Sequence, residues 1–243
     1  MRLLTFIPLL FALSATAQAA AVDPALNKVL ELAGVQLICE QTAPLLQRGM
    51  PAKQQKQLGT LFAAGPLCAD LARQLSAQLS KAQLDEALKL LNSPLAQHFT
   101  EAERAVGVEG GLGAYRAQLS EHPPRQDRLA LVQRLDKAAH TTELATLLRY
   151  EVGKTQALMA LRSRGKNIDE KALTEQTMTQ VAPLRASSAS GVEAFMLYAY
   201  RRTPSSQLGE YAALYEQAPL RAVLEASAKA LPALFAARRA QLK

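Results

Sequence analysis

Two cysteines are the residues in this chain best suited to covalent chemistry. They are Cys39 and Cys68, and the 243-residue sequence contains no others. They lack the C-x-x-C spacing of thiol–disulfide oxidoreductases, so a structural bond is the expected role. In an oxidising compartment an even cysteine count favours pairing, which predicts a Cys39–Cys68 disulfide. The alternative is a pair of small buried thiols on apolar helices.

The three histidines do not form a recognisable catalytic or metal-binding motif. His98 lies beside Phe99 on the apolar side of a predicted helix, His122 follows in a proline-rich stretch, and His140 lies near a helix end. No H-E-x-x-H or paired C-x-x-C occurs, and bridged cysteines would leave no Cys–His nucleophilic pair. The sequence therefore predicts neither a metal site nor a cofactor.

Glutamates are the remaining candidates for acid–base catalysis. Glu86 and Glu210 take matching positions in two similar segments, and Glu101 and Glu103 lie on the helix that follows Pro94. A lysozyme-like enzyme needs a carboxylic acid whose pKa is raised in an apolar cleft. These glutamates instead have the spacing of solvated helix faces. We keep a cell-wall hydrolase that uses a buried glutamate as an alternative function.

Basic residues exceed acidic ones and give the main indication of a partner. The chain has 28 Lys and Arg against 21 Asp and Glu, and the excess lies in its second half. Several of these cations fall at predicted helix C-termini, where they complement the helix dipole. They could also form a basic surface for an anionic envelope component or an acidic protein. The candidates are Arg162, Arg164, Lys166, Arg201, Arg202, Arg238 and Arg239. Nucleic acid is a poor candidate, because aromatic residues are not interleaved with the basic ones.

The first 19 residues have the organisation of a secretory signal peptide. Arg2 precedes an apolar run from residue 3 to residue 13, and Ala17-Gln18-Ala19 supplies the small residues of a cleavage site. The apolar run is shorter than the roughly 20 residues of a membrane span. We therefore expect cleavage after Ala19, a mature chain without a transmembrane segment, and a periplasmic location.

The composition favours an all-α fold. Apolar residues make up 49% of the chain, aromatic residues 5%, and tryptophan is absent. No stretch shows the alternation of β-branched and aromatic residues that strands require. The sequence therefore predicts a helical protein.

One pattern occurs twice and suggests two related halves. Residues 80–105 place Leu84, Ala87, Leu88 and Leu91 on one helical stripe, and residues 204–230 repeat this spacing. In each copy a proline then starts a second helix. We expect two antiparallel helical-bundle halves, which could form one continuous helical array.

The flanking segments complete the predicted organisation. Helices over 24–48 and 53–78 would form a hairpin that carries the two cysteines, with a possible break at Gly65-Pro66. In the second half we expect a long helix ending near Gly165, a helix from about 167 to 183, and a small-residue turn over 186–191. A largely apolar helix over 192–202 would then lie at the centre of that half.

The glycines and prolines between the copies suggest a domain boundary. Residues 107–125 are rich in both, and they do not match a phosphate-binding glycine motif. The expected divisions are a signal peptide over 1–19, an N-terminal half over 20–106, a linker over 107–125 and a C-terminal half over 126–243.

The segment Leu91-Asn92-Ser93-Pro94-Leu95, which joins two amphipathic helices, resembles the exported family called domain of unknown function 2059. That family carries F-Y-x-S-P-x-G at this position. Here Leu90-Leu91 replaces the aromatic pair and Ala96 replaces the glycine. The resemblance covers about thirty residues in each half, implies a periplasmic helical module, and supplies no catalytic residues.

These observations favour a non-catalytic binding or adaptor protein of the periplasm. Seams between its helices would hold a protein segment or an apolar ligand. The alternatives are the cell-wall hydrolase and a protein that binds anionic membrane surfaces. The sequence does not indicate an oligomeric state.

Overall fold

The computed structural model describes residues 23–242, and the predicted signal peptide lies outside them. Residues 23–125 form seven α-helices. They are α1 (Pro24–Leu32), α2 (Val35–Gln47), α3 (Ala52–Leu61), α4 (Ala64–Ser76), α5 (Lys81–Leu91), α6 (Pro94–Glu109) and α7 (Leu112–Gln118).

The rest of the described chain forms six more α-helices and one short 3₁₀ turn. They are α8 (Gln126–Ala139), α9 (Thr141–Ser163), α10 (Glu170–Thr177), the 3₁₀ turn Met178–Gln180, α11 (Val181–Ala199), α12 (Ser205–Tyr215) and α13 (Ala218–Arg239). The all-α fold is confirmed. Within residues 23–242 no helix is both long enough and apolar enough to cross a lipid bilayer.

The helices share one hydrophobic core that crosses the predicted boundary. Helix α13 packs against α4 and α5 as well as α9, and α2 also packs against α9. Residues 107–125 are not an open linker, because they contain the end of α6 and all of α7, which packs on α11. The division into two related halves stays a prediction.

Both copies of the repeated segment form the expected pair of helices. Helices α5 and α12 have 11 residues each, and the next helix begins at Pro94 in one copy and at Ala218, directly before Pro219, in the other. Ser80 and Gln83 form a capping box at the start of α5, which satisfies two of the free N–H groups of its first turn. Local sequence thus determines where these helices begin.

The cysteine-bearing hairpin contains four helices where two were predicted. Gly34 adopts a left-handed conformation (φ 75°) that separates α1 from α2, and Phe62–Ala63 separates α3 from α4. The second break lies just before Gly65-Pro66, close to the predicted position. It brings Cys68 beside Cys39, with Cα atoms 5.7 Å apart. The predicted Cys39–Cys68 disulfide is confirmed and joins α2 to α4.

Helix α11 differs from its prediction. The expected turn over residues 186–191 is helical, and α11 runs without a break from Val181 to Ala199. Pro183 lies in the first turn, where its missing N–H costs no hydrogen bond. Two of the small residues, Ser187 and Ser188, accept hydrogen bonds from Arg149 of α9 at 2.7 and 3.0 Å.

Candidate binding groove and its charged floor

A groove of about 460 Å³ lies where α9, α10 and α13 meet. This volume falls within the range of small-molecule sites. Most of its lining is apolar or small, and three charged side chains lie at its floor. The lining residues are Thr146, Leu147, Tyr150, Glu151, Lys154, Glu170, Thr174, Val181, Pro232, Ala233 and Ala236.

Helix α9 places two charged side chains in the floor. Glu151 and Lys154 are 2% and 4% exposed, respectively. Glu151 and Thr155 continue a buried stripe formed by Leu144, Leu148 and Leu158, all at helical spacings of three or four. Neither Glu151 nor Thr155 was among the residues predicted to be functional. In the sequence, a glutamate and a threonine that interrupt an apolar helical stripe would have indicated that these two positions are buried polar residues.

Arg239, in the last turn of α13, binds both glutamates that line the groove. Its guanidinium donates to Glu151 (2.6 Å), to both carboxylate oxygens of Glu170 (3.0 and 2.6 Å) and to Thr155 (3.3 Å). Arg239 is only 1% exposed, so its assignment to a basic surface is wrong. Burying an arginine requires charged partners, and the two glutamates provide them.

Lys154 also binds Glu170, at the same oxygen, Oε1, that Arg239 Nη2 contacts. Its Nζ lies 2.6 Å from the Glu170 carboxylate and 2.5 Å from the Thr174 hydroxyl oxygen. Two carboxylates and two cations therefore form one neutral network, which we call the charged floor: Glu151, Lys154, Glu170 and Arg239. It ties α10 to both α9 and α13.

The pKa values of the two glutamates of the charged floor are shifted in opposite directions. Burial raises the pKa of Glu151, and the nearby Arg239 and Lys154 offset only part of that effect. Burial also acts to raise the pKa of Glu170, but hydrogen bonds and charges from Arg239 and Lys154 outweigh it, so this pKa is lowered. Burial acts to lower the pKa of Arg239, and the two carboxylates raise it overall. Glu170 is thus held as a carboxylate by its partners.

Helix α13, which forms one wall of the groove, contains a proline in its interior, Pro232. Pro232 cannot donate the hydrogen bond that an interior helical residue normally gives, and it lines the groove together with Ala233. Val181, another lining residue, is 37% exposed.

The structure separates the predicted basic residues. Arg238 donates to the carbonyl oxygens of Leu61 (3.0 Å) and Pro66 (3.2 Å) and pairs with Asp70, while Arg162 donates to the Leu242 carbonyl. Arg238 therefore ties α13 to the ends of α3 and α4, and Arg162 holds the residues that follow α13. Arg164 and Lys166 are exposed beyond the end of α9.

Arg201 and Arg202 lie elsewhere. Arg149 of α9 contacts Ser187 of α11, and Gly153, one turn later in α9, lies beside Gln180, which precedes α11. The two helices are therefore antiparallel, and Arg201 follows the end of α11 that is far from Arg162. There the Arg201 guanidinium lies 3.9 Å from the centre of the Tyr198 ring. The seven residues do not form one surface.

The other candidate residues lie outside the groove. Glu86, Glu101 and Glu210 are exposed, as is His122. His98 lies 3.5 Å from the Thr203 hydroxyl, and His140 contacts Glu143 at 2.6 Å. Within residues 23–242 no group of three His, Cys, Asp or Glu side chains is placed to hold a metal ion.

Glu103 has a different environment from the other predicted glutamates. It is half-buried, and the buried Tyr200 hydroxyl donates to its carboxylate at 2.6 Å. Burial raises the pKa of Glu103, although hydrogen bonds from Tyr200 and Tyr211 reduce the shift. It does not line the groove between α9, α10 and α13.

Comparison with known proteins gives no relative: no family model, no curated protein and no solved structure matches this chain. The resemblance to domain of unknown function 2059 therefore remains a prediction.

Proposed function

We propose that this protein is an exported, non-catalytic binding protein of the bacterial cell envelope, and that the groove between α9, α10 and α13 holds an apolar ligand. The groove itself carries the proposal. It is open to solvent on one side, has an apolar lining and has a volume suited to a small ligand or to part of a larger one.

The hydrogen bonding around the groove supports an apolar occupant. Lys154, Glu170 and Thr174 bind one another, and the Tyr150 hydroxyl lies 3.0 Å from that of Thr177. Among residues 23–242 no buried side-chain nitrogen or oxygen lacks a hydrogen-bond partner. A polar ligand would have to compete with these bonds, whereas an apolar ligand gains free energy by leaving water.

The proposed location rests on the sequence and on the disulfide. The first 19 residues have the pattern of a signal peptide, and Cys39–Cys68 is a bond that oxidising compartments favour. Export can be tested by N-terminal sequencing of the protein from a periplasmic fraction. Cleavage after Ala19 is the expected result.

Binding can be tested by adding a fluorescent aliphatic probe to the purified mature protein. Ala233→Leu would fill the groove, and we expect it to lower the affinity about tenfold. Ala237→Leu is the matched control, because Ala237 is an exposed residue of the same helix that does not line the groove. Equal affinity in the two variants would count against the groove as the binding site.

A second candidate function rests on Glu103. A half-buried carboxylic acid with a raised pKa beside buried tyrosines has one property of a general acid. A cell-wall hydrolase of this kind should release muropeptides from peptidoglycan and lose that activity in Glu103→Gln. Glu101→Gln, which changes an exposed residue of the same helix, is the control. Release that survives in Glu103→Gln would remove Glu103 as the acid.

A further inference from the structure

A second cavity, of about 230 Å³, lies where the end of α9, the start of α10 and the last turns of α13 meet. We call it the small cavity. It shares only Glu170 and Ala236 with the groove. Its lining combines charged side chains with an apolar set, which consists of Leu158, Ile168, Leu173, Ala236 and Ala240.

Two of the charged lining residues, Glu170 and Arg239, neutralise each other. Arg239 donates to both Glu170 carboxylate oxygens, at 3.0 and 2.6 Å, and the rest of the charged floor completes their pairing. A ligand would have to break these bonds to bind either group, which leaves it little net gain. Glu170 and Arg239 therefore act as a fixed wall of the small cavity.

The other two charged lining residues, Arg162 and Asp169, are not neutralised in this way. Arg162 donates to the Leu242 carbonyl oxygen, and Asp169 Oδ1 accepts from the Ala172 N–H at 2.7 Å. Within residues 23–242 neither side chain has a partner of opposite charge. A guanidinium has five N–H donors and a carboxylate about four acceptor sites. Both side chains therefore keep most of their hydrogen-bonding capacity.

The fold brings this cation and this anion to the same cavity. Arg162 lies in the last turn of α9, and Asp169 is the N-cap of α10. The connection between them turns at Gly165, which adopts a left-handed conformation (φ 71°). Each side chain is also held by its backbone hydrogen bond. The small cavity thus presents one positive and one negative group beside apolar side chains.

We propose that the small cavity binds an α-amino acid with an aliphatic side chain, whose carboxylate pairs with Arg162 and whose ammonium group pairs with Asp169. A zwitterion supplies one charge of each sign, so both groups gain a partner. A guanidinium can bind a carboxylate through two parallel hydrogen bonds. The ligand side chain would leave water for the apolar lining. This site does not depend on the proposed apolar ligand of the groove.

The ammonium contact can be tested by calorimetric titration of the purified mature protein with leucine. Asp169→Asn removes the charge but keeps a residue that caps helices equally well, and we expect it to weaken leucine binding about tenfold. N-acetyl-leucine has no ammonium group, so this substitution should not weaken its binding. Glu175→Gln is the control, because Glu175 is an exposed residue of α10 that does not line the small cavity.

The carboxylate contact is tested in the same way with Arg162→Met. We expect this variant to bind leucine about tenfold more weakly, whereas binding of leucinamide, which lacks the carboxylate, should not be weakened. Arg164→Met, at an exposed position that does not line the small cavity, is the control. An equal loss for leucine and leucinamide would show that Arg162 acts only by holding the residues after α13, and it would overturn the carboxylate contact.

Two further outcomes would overturn the site as a whole. The first is the absence of leucine binding to the wild-type protein at millimolar concentration. The second is leucine binding that neither Asp169→Asn nor Arg162→Met weakens. Ala233→Leu fills only the groove and should leave leucine affinity unchanged, so failure of the groove as an apolar site is distinguished from failure of the small cavity.

Discussion

Arg239 binds Glu170 through two parallel hydrogen bonds, Nε to Oε2 at 3.0 Å and Nη2 to Oε1 at 2.6 Å. This two-pronged geometry suits a guanidinium and would be lost with lysine. The remaining Nη1 donates to Glu151 at 2.6 Å. A single side chain therefore joins α9, α10 and α13.

Removal of this side chain should destabilise the whole protein. Arg239→Met leaves Glu151, whose side chain is 3% exposed, without its closest cation. We expect the free energy of unfolding to fall by about 3–5 kcal/mol, the usual cost of breaking a buried ion pair. Urea unfolding followed by circular dichroism measures it. Arg164→Met, at an exposed position, should change stability little; a similar loss in both variants would contradict a structural role for the charged floor.

The buried tyrosines predict a loss of stability at alkaline pH. Burial, with the nearby Glu103 charge, raises the pKa of Tyr215 from 10.0 to about 12. The pKa values of Tyr200 and Tyr211 are raised in the same direction, chiefly by burial. Because the folded state resists deprotonation, their contribution to stability is complete below pH 10 and is lost as the pH rises above it.

Tyrosinate absorbance and near-ultraviolet circular dichroism, recorded together during an alkaline titration, test this prediction. Tyr200, Tyr211 and Tyr215 should ionise only as the tertiary signal disappears. Tyr215→Phe removes one titrating group, so its stability should depend less steeply on pH above 10. Full ionisation of all tyrosines in a protein that keeps its native signal would contradict the assignment.

The disulfide should contribute substantially to stability. It joins cysteines 29 positions apart, and the chain-entropy relation for a loop of this size gives roughly 3–4 kcal/mol. Replacing both cysteines by alanine should lower the urea midpoint accordingly. Adding a reductant should then have no further effect on the variant, whereas it should destabilise the wild-type protein. An unchanged midpoint would show that the bond does not constrain the unfolded chain.

Alanine substitution at two glycines near the start of α7 should change the stability of the protein in opposite directions. A Cβ at Gly111 would collide with the buried Tyr198 side chain, whereas a Cβ at Gly113 meets nothing within 4 Å. Gly111→Ala should therefore cost about 1–3 kcal/mol through overpacking. Gly113→Ala should stabilise by about 0.5–1 kcal/mol, because alanine is the better helix former. Thermal unfolding of the two variants provides the comparison.

Binding to anionic membranes is a separate prediction that concerns Arg164 and Lys166. Both are exposed beyond the end of α9, so they are available to anionic headgroups. If the protein binds such membranes, replacing both by alanine should weaken co-sedimentation with anionic liposomes, and salt should weaken the wild-type interaction. Lys89→Ala, at an exposed site on α5, is the control. No sedimentation of the wild-type protein at low salt would exclude this mode of binding.

Features encoded over a few residues could be predicted from the sequence. The proline that begins α6, the capping box at Ser80 and the helical spacing of leucines all act within one or two turns. The turn predicted over residues 186–191 was wrong because its small residues suit close helix packing as well as a turn. The hydrogen bond that Ser187 accepts from Arg149 joins residues 38 positions apart, which a local pattern does not show.

The sequence by itself determined that the chain is helical, that its two cysteines should pair, and where the helices of the repeated segment begin. Only the tertiary structure decided which charged residues are buried. The last turn of α13 places Arg238 and Arg239 side by side at a helix terminus, which in sequence indicates a basic surface. Arg239 instead meets Glu170 and Glu151, 69 and 88 positions away. Helix periodicity is local, whereas the partner that makes burial of a charge possible is brought near only by the packing of three helices.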